Sequence, residues 1–175
     1  MKLYNFYFSP TGATKKVLDV ICSAWECDKC YTDFSSPINN YSNIKFAPND
    51  ICIVAVPSFS GRVPQFIIPK LKTLKGCNVK TILVATYGNR AFDDTLIELK
   101  TILEKCDFLC VAAIAAVTRH SVMPIYGAGR PNDTDISELR EYSLKCKYAI
   151  SEITTSVDVP GNIPYRKYVT IPVYP

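Results

Sequence analysis

Short apolar segments alternate with amphipathic segments along most of this 175-residue chain, and that alternation restricts the possible folds more than any other feature. The apolar runs at 2–8, 51–56, 79–86 and 108–117, with a weaker one at 29–34, are typical of buried strands. Helical spacing of apolar residues predicts helices at 13–25, 64–74, 91–106 and 133–155. Strands that alternate with helices predict a parallel sheet that is covered by helices on both faces.

The five predicted strands fit the doubly wound α/β fold, in which the order across a five-stranded parallel sheet is 2-1-3-4-5. The length suits one domain with a substantial core. We expect that domain at 1–156, followed by a proline-rich C-terminal tail or linker at 157–175. Pro69 should shorten or kink the second helix, because proline lacks the N–H that a helix interior uses.

Three loops should meet at the carboxyl ends of the central strands, where open parallel sheets bind ligands. They cover residues 9–14, 57–64 and 86–93. The first leads into a helix N-terminus, whose free N–H groups and dipole favour a phosphate. It supplies the hydroxyls of Ser9, Thr11 and Thr14, and Gly12 lets the backbone approach a ligand closely. It has neither the GxxxxGK[ST] nor the GxGxxG motif of nucleotide-binding loops. A capped helix start is the alternative interpretation.

Taken together, the three loops resemble those of flavodoxins. SPTGAT at 9–14 is similar to the flavodoxin phosphate loop, PSFSGRVP at 57–64 to the second flavin loop, and TYGNRAFDD at 86–94 to the third. The latter two, with RHS at 119–121 and GRP at 129–131, are most similar to the flavodoxin domain of flavodoxin–ferredoxin fusion proteins of anaerobes. The resemblance covers nearly the whole chain and implies a flavodoxin-like fold for the domain at 1–156.

The resemblance also implies that one FMN binds non-covalently at these loops. The residues that it assigns to the phosphate are Ser9, Thr11, Gly12, Ala13 and Thr14. Those that it assigns to the isoalloxazine ring are Pro57, Ser58, Phe59, Ser60 and Gly61, together with Thr86, Tyr87, Gly88 and Asn89. Phe59 and Tyr87 are the candidates to stack on the ring, with Phe92 as a third, and core packing is the alternative for each. Arg62 and Arg90 would either approach the ring or face solvent.

The predicted loop at 118–132 is longer than the usual strand-to-helix connection of roughly 2–6 residues, and long ordered loops are often functional. It leaves the carboxyl end of the fifth strand and holds the only histidine, His120. We therefore predict a lid on the flavin side with His120 near the ring, where an imidazole can donate or accept a proton. Local packing is the alternative for this side chain.

Eight cysteines are present, and the one CxxC motif, Cys27 to Cys30, has no second CxxC or His-x-x-x-His beside it. A structural or incidental role is favoured over metal binding or redox use, so neither a metal site nor an iron–sulfur cluster is expected. So many thiols fit a reducing compartment, and we expect a cytoplasmic protein. The apolar N-terminal stretch is too short for a signal peptide, and no apolar run approaches the ~20 residues of a membrane helix.

The formal net charge is +4, whereas flavodoxins are commonly acidic. The basic excess lies in residues 1–87, which include Lys70, Lys72, Lys75 and Lys80. No interleaving of basic and aromatic residues accompanies it, so a nucleic-acid partner is not expected. A solvated helix face is expected instead, with a docking patch for an acidic redox partner as the alternative.

No catalytic triad or pair of acid–base carboxylates stands out, so no catalytic residue is assigned. We expect an electron-transfer protein whose redox partner is a ferredoxin-type domain or a separate protein. One alternative is an FMN-dependent NAD(P)H or quinone reductase, with a pocket that residues 118–132 build above the flavin. Another is a non-redox regulator that binds a phosphate ligand.

Overall fold

The computed structural model describes residues 1–168 and confirms the predicted α/β fold. Five parallel strands lie in the order β2-β1-β3-β4-β5. They are β1 (Lys2–Tyr7), β2 (Asp28–Asp33), β3 (Ile51–Pro57), β4 (Lys80–Tyr87) and β5 (Leu109–Val117). The helices are α1 (Ala13–Ser23), α2 (Ile68–Leu71), α3 (Thr95–Glu104) and α4 (Asp133–Ala149), and a 3-10 turn at Gln65–Ile67 precedes α2.

Alternate residues of the central strands contribute to two cores, one on each face of the sheet. Phe6, Val54 and Leu83 belong to the core beneath α2 and α3. Ile53 and Val84 belong to the core beneath α1 and α4. All five side chains are fully buried, which explains why the strands read as continuous apolar runs rather than as alternating ones.

All four helices are shorter than predicted, and the first, α1, ends at Ser23 rather than at 25. The segment at 64–74 forms the 3-10 turn and the single turn of α2, with Pro69 at the start of α2, where its missing N–H costs least. Helix α3 begins at Thr95 rather than at 91, because Asp93 adopts a left-handed backbone with φ of 42°. Helix α4 ends at Ala149 rather than at 155.

Residues 157–168, from the predicted tail, lie against the sheet edge and α3. The N–H of Val157 bonds to the carbonyl of Cys110 on β5 at 2.8 Å. Gly161 packs so closely on α3 that a Cβ there would lie 2.2 Å from Cγ2 of Ile97. The rest of the predicted tail, 169–175, lies outside the described residues. Within residues 1–168, no helix has the length and apolar character needed to cross a membrane.

Candidate functional site

The register of the strands brings the three predicted loops to one edge of the sheet. Pro57 pairs with Thr86 across β3 and β4, and the N–H of Ser58 bonds to the carbonyl of Thr86 at 2.7 Å. The N–H of Phe8 bonds to the carbonyl of Ala55 at 3.1 Å, which continues the β1–β3 pairing into the first loop. A cavity of about 400 Å³ opens between these loops, within the roughly 300–1,000 Å³ usual for small-molecule sites.

Residues from all three loops and from the start of the 118–132 loop line this cavity. The predicted site residues that line it are Thr11, Ala13, Thr14, Pro57, Ser58, Phe59, Ser60, Thr86, Tyr87, Gly88 and His120. Ser9, Gly12, Gly61, Asn89 and Phe92 belong to the same loops but lie outside its lining. Four segments that are far apart in the sequence thus surround a single cavity.

The first loop leaves backbone N–H groups free at the start of α1, where the N-cap residue is Gly12 and has no side chain. Gly12 adopts a φ of 81°, and a Cβ added there would meet nothing within 4 Å, so the backbone is open to a ligand. The N–H groups of Ala13 and Thr14 have no acceptor among the residues described. Such free N–H groups at the positive end of a helix dipole are suited to bind a phosphate.

Two of the three predicted hydroxyls already have protein partners. The Oγ of Ser9 accepts the N–H of Lys15 at 2.9 Å, which agrees with the alternative of a capped helix start for that residue. Thr14 is buried, and its Oγ1 lies 2.7 Å from Oγ1 of Thr86. One hydroxyl of this pair donates to the other, so only one of the two hydrogens is left for a ligand. Thr11 is exposed and lines the cavity.

Two aromatic residues line the cavity, and the ring of each packs against a neighbouring phenylalanine. The Phe59 ring packs edge-on against Phe8 at a centroid distance of 6.2 Å. The Tyr87 ring packs edge-on against Phe92 at 5.4 Å. Phe92 itself packs against the core beneath α3 and does not line the cavity, which agrees with the core-packing alternative for this residue.

Arg62, which follows the second loop's cavity-lining residues, forms a buried ion pair. Its Nε and Nη2 donate to Oε2 and Oε1 of Glu98 at 2.7 and 2.5 Å, and the two side chains are 11% and 4% exposed. The hydrogen bond to Glu98 raises the pKa of Arg62 despite the opposing effect of burial. The alternative in which Arg62 faces solvent is therefore wrong, whereas Arg90 is 75% exposed and does face solvent.

Sequence reasoning missed Glu98, although its position offered a signal. It is an acidic residue within an otherwise apolar stretch of α3, and it is 3% exposed. A carboxylate buried this deeply requires a cation or several donors. Besides Arg62, the N–H of Val63 donates to Glu98 Oε2 at 2.9 Å.

His120 packs directly on the backbone of the third loop, because a Cβ at Gly88 would lie 2.3 Å from His120 Cδ2. The imidazole Nδ1 accepts the N–H groups of Val122 and Met123, each at 3.1 Å. These two bonds place the hydrogen of the neutral ring on Nε2. The structure thus brings His120 to the cavity, while its distance from a bound ring stays a prediction.

A second cavity, of about 470 Å³, adjoins the first beside the start of α1. Both share residues of the first loop and of the 118–121 segment. The charged residues that line it are Lys16, Arg119 and Arg130, and none of its lining residues is acidic. Arg130 is paired with Asp135, whereas Arg119 is exposed. This space is therefore suited to an anionic group.

Residues 1–168 contain no group of three or more His, Cys, Asp or Glu side chains arranged to hold a metal ion. All eight cysteines are free thiols, including the partly buried Cys27 and Cys30. Burial raises the pKa of Cys22 and of Cys110 to about 12, so both thiols stay protonated at neutral pH and behave as small apolar groups.

Comparison with known proteins finds likeness in structure only. No protein-family model matches the chain, and neither does any curated protein sequence. Flavodoxin 1 from Bacillus cereus aligns with a TM-score of 0.58 at 14% identity, over 88% of this chain and 100% of that chain. Megasphaera elsdenii flavodoxin aligns with a TM-score of 0.54 at 20% identity, over 82% and 98%.

A third similar structure is a flavodoxin, WrbA-like protein from Agrobacterium tumefaciens. It aligns with a TM-score of 0.57 at 13% identity, over 86% of this chain and 98% of that chain. At such low identity the likeness concerns architecture rather than function. Together with the strand order 2-1-3-4-5, it shows that this chain has the flavodoxin-like α/β fold.

Proposed function

We propose that this protein binds one FMN non-covalently at the 400 Å³ cavity and uses it to transfer electrons. The observation that carries the proposal is that the two ends of this cavity differ in chemistry. One end has a helix N-terminus with free N–H groups at Ala13 and Thr14. The other has two aromatic side chains, Phe59 and Tyr87, among loop backbone.

The residues present suit the two parts of FMN. Unpaired N–H groups, the Thr11 hydroxyl and an open Gly12 backbone match a phosphate. The ring-side loops supply apolar contact and backbone polar groups, as a largely apolar ring with a polar edge requires. Bound flavin would supply reversible one- and two-electron transfer, while the protein binds it, orients it and adjusts its potential.

The decisive experiment is the absorption and fluorescence of the purified protein, with and without added FMN. We expect flavin absorption bands close to those of free FMN and quenched flavin emission, because Phe59 and Tyr87 would lie against the ring. Unchanged FMN fluorescence at micromolar protein would contradict the proposal. A colourless protein that rejects FMN but binds a phosphate compound would support the non-redox regulator instead.

A reductase of NAD(P)H or quinones is the second candidate, and the adjoining basic cavity favours it. A second anionic molecule could enter beside the flavin, where Lys16 and Arg119 provide positive charge. The likeness to a WrbA-like structure is also compatible with this candidate. Steady oxidation of NAD(P)H by the FMN-loaded protein, with a quinone as acceptor, would establish it. Reduction that stops after one equivalent per flavin would favour the carrier.

For the carrier, we propose a redox protein as the partner, with a ferredoxin-type domain or protein as the candidate, and a cytoplasmic location. The free state of all eight cysteines supports a reducing compartment. The basic excess of residues 1–87 supports a partner with an acidic surface. Electron transfer from reduced ferredoxin to the oxidised flavoprotein, or from the reduced flavoprotein to oxidised ferredoxin, tests this when it is measured at increasing salt, because attraction between opposite charges weakens as salt rises.

A further inference from the structure

Residues 161–168, which we call the strap, cross the outer side of the two loops that build the ring end of the cavity. The buried carboxylate of Asp94 accepts hydrogen bonds from two backbone N–H groups of the strap. Its Oδ1 accepts the N–H of Asn162 at 2.8 Å, and its Oδ2 accepts the N–H of Arg166 at 2.7 Å. Asp94 therefore holds both ends of a turn in the strap.

Asp94 also joins the second and third loops to each other. Its own N–H donates to the carbonyl of Gly61 at 2.9 Å, and it stands immediately before α3. The strap adds a second connection, since the Arg166 guanidinium pairs with Asp93. Gly61 lies directly beneath that pair, because a Cβ there would be 2.4 Å from Asp93 Oδ2 and 2.8 Å from Arg166 Cδ.

The strap also contacts the second loop directly. The Arg62 guanidinium contacts two aromatic rings of the strap, with its Cζ 4.7 Å from the centroid of Tyr165 and 4.3 Å from that of Tyr168. Arg62 Nη1 donates to the carbonyl of Arg166. The hydroxyl of Tyr168 donates to the carbonyl of Val63 at 2.9 Å.

None of these strap residues lines the cavity, yet the loops that they hold do. Residues 58–60 and 86–88 line the cavity, whereas Arg62 and Asp94 lie in or next to the same two loops without lining it. The first loop has no contact of this kind with the strap among the described residues. We propose that the strap is a positioning element for the ring end of the site, with Asp94 and Arg166 as its positioning residues.

This inference rests on the proposed flavin site for its functional meaning, but it can be tested without flavin. The first measurement is amide hydrogen exchange of the flavin-free full chain. Arg166→Ala removes the pair with Asp93, and Arg166→Pro also removes the N–H that Asp94 accepts. Exchange should become about tenfold faster in residues 58–63 and 88–94 of the proline variant, less so in the alanine variant, and should not change in residues 9–14.

Two further variants serve as controls. Lys167→Ala changes the neighbouring strap residue, which is exposed, and should leave exchange unchanged. Arg166→Lys keeps the N–H and a positive charge and should restore most of the protection. Equal acceleration in 9–14, or no acceleration in either ring-side loop, would overturn the inference. Urea unfolding of each variant shows whether global stability accounts for the exchange.

Flavin binding gives the second measurement. Because the strap acts at the ring end, Arg166→Pro should weaken FMN and riboflavin by the same factor, about tenfold, and shift the flavin midpoint potential. A loss confined to FMN would overturn the inference, since riboflavin lacks only the phosphate. If the unaltered protein binds neither flavin while exchange changes as expected, the proposed function fails and the positioning of the loops stands.

Discussion

The two ends of the cavity are built in different ways. The phosphate end is a short local segment, 9–14, that offers backbone N–H groups, and its nearest ion pair, Lys15–Asp19, is half exposed at 33% and 47%. The ring end is assembled from distant segments and rests on the buried Arg62–Glu98 pair and the strap. Changes at the ring end should therefore affect folding, whereas changes at the phosphate end should affect ligand choice.

The largest effect is expected for Glu98→Ala. It leaves the Arg62 guanidinium buried without its partner and removes the acceptor of the Val63 N–H. Breaking a buried pair in this way typically costs about 3–5 kcal/mol, so the free energy of unfolding in urea should fall by that amount.

The matched control is Glu141→Ala, whose pair with Lys145 on α4 is about two-thirds exposed on both sides. It should cost far less, because an exposed ion pair contributes little to stability. Similar losses for both would mean that the buried Arg62–Glu98 pair stabilises the ring end no more than an exposed pair does.

The same contrast explains what the sequence could predict. Strands β1, β3, β4 and β5 are apolar runs, and their order follows from general rules of α/β folds. The phosphate loop is contiguous, so its hydroxyls and glycine stand together in the sequence. The hydrogen bonds of Asp94 with Asn162 and Arg166, in contrast, join positions about 70 residues apart. The proline-rich segment that contains Asn162 and Arg166 has no periodicity that would indicate its packing partner.

Helix bounds were mispredicted for the same physical reason. Residues 91–94 have helix-compatible composition, but Asp93 takes a left-handed conformation and Asp94 accepts strap N–H groups. Tertiary contacts thus decide where α3 begins. Arg62 likewise has nothing in its immediate sequence to indicate a buried carboxylate, because Glu98 is supplied by α3, more than thirty residues later.

Thr11→Ala tests the phosphate end and should have the next largest effect. Among the three hydroxyls predicted for the phosphate, Thr11 is the one for which the described residues show no partner, and it lines both cavities. Loss of a donor to a charged acceptor costs about 1.5–3 kcal/mol, so the FMN dissociation constant should rise by about one to two decades. Riboflavin affinity and unfolding in urea should not change.

The control for Thr11 is Ser9→Ala, since Ser9 caps the N–H of Lys15 rather than facing the cavity. It should lower stability by about 1 kcal/mol with a smaller effect on FMN. If Thr11→Ala weakened riboflavin as much as FMN, the division of the site into a phosphate end and a ring end would be wrong.

Asp94→Asn tests the ring end through pH. Burial acts to raise the pKa of Asp94, but the N–H bonds from Arg166 and Asn162 outweigh it and lower the pKa below its ordinary 3.8. A lowered pKa in the folded state means that the ionised carboxylate stabilises the fold above that ordinary value. The contribution disappears as pH falls through the lower folded value.

The unaltered protein should therefore exceed Asp94→Asn in free energy of unfolding by roughly 1–2 kcal/mol at neutral pH, and the difference should shrink below about pH 4. Urea titrations from pH 7 down to pH 3 measure it. Asp158→Asn, an exposed substitution in the same C-terminal segment, serves as the control and should show little difference at any pH. A difference for Asp94→Asn that stayed constant with pH would assign its effect to shape rather than to charge.

The smallest effect is expected for Arg90→Gln, and it separates the two arginines at the ring end. Arg62 is neutralised by Glu98, whereas Arg90 is 75% exposed and reaches Asp93 only at 3.4 Å. The interaction energy of two unit charges 4 Å apart in water is about 1 kcal/mol, and that of a more distant exposed charge is smaller. Since a cation stabilises reduced, negatively charged flavin, the second one-electron potential should become more negative by less than about 40 mV.

The shift should vanish at 1 M salt, where the Debye length is about 3 Å, and Arg140→Gln on α4 should show none. A larger shift that salt does not reduce would mean that Arg90 turns into the cavity when flavin binds, so that the ring end is completed by its ligand.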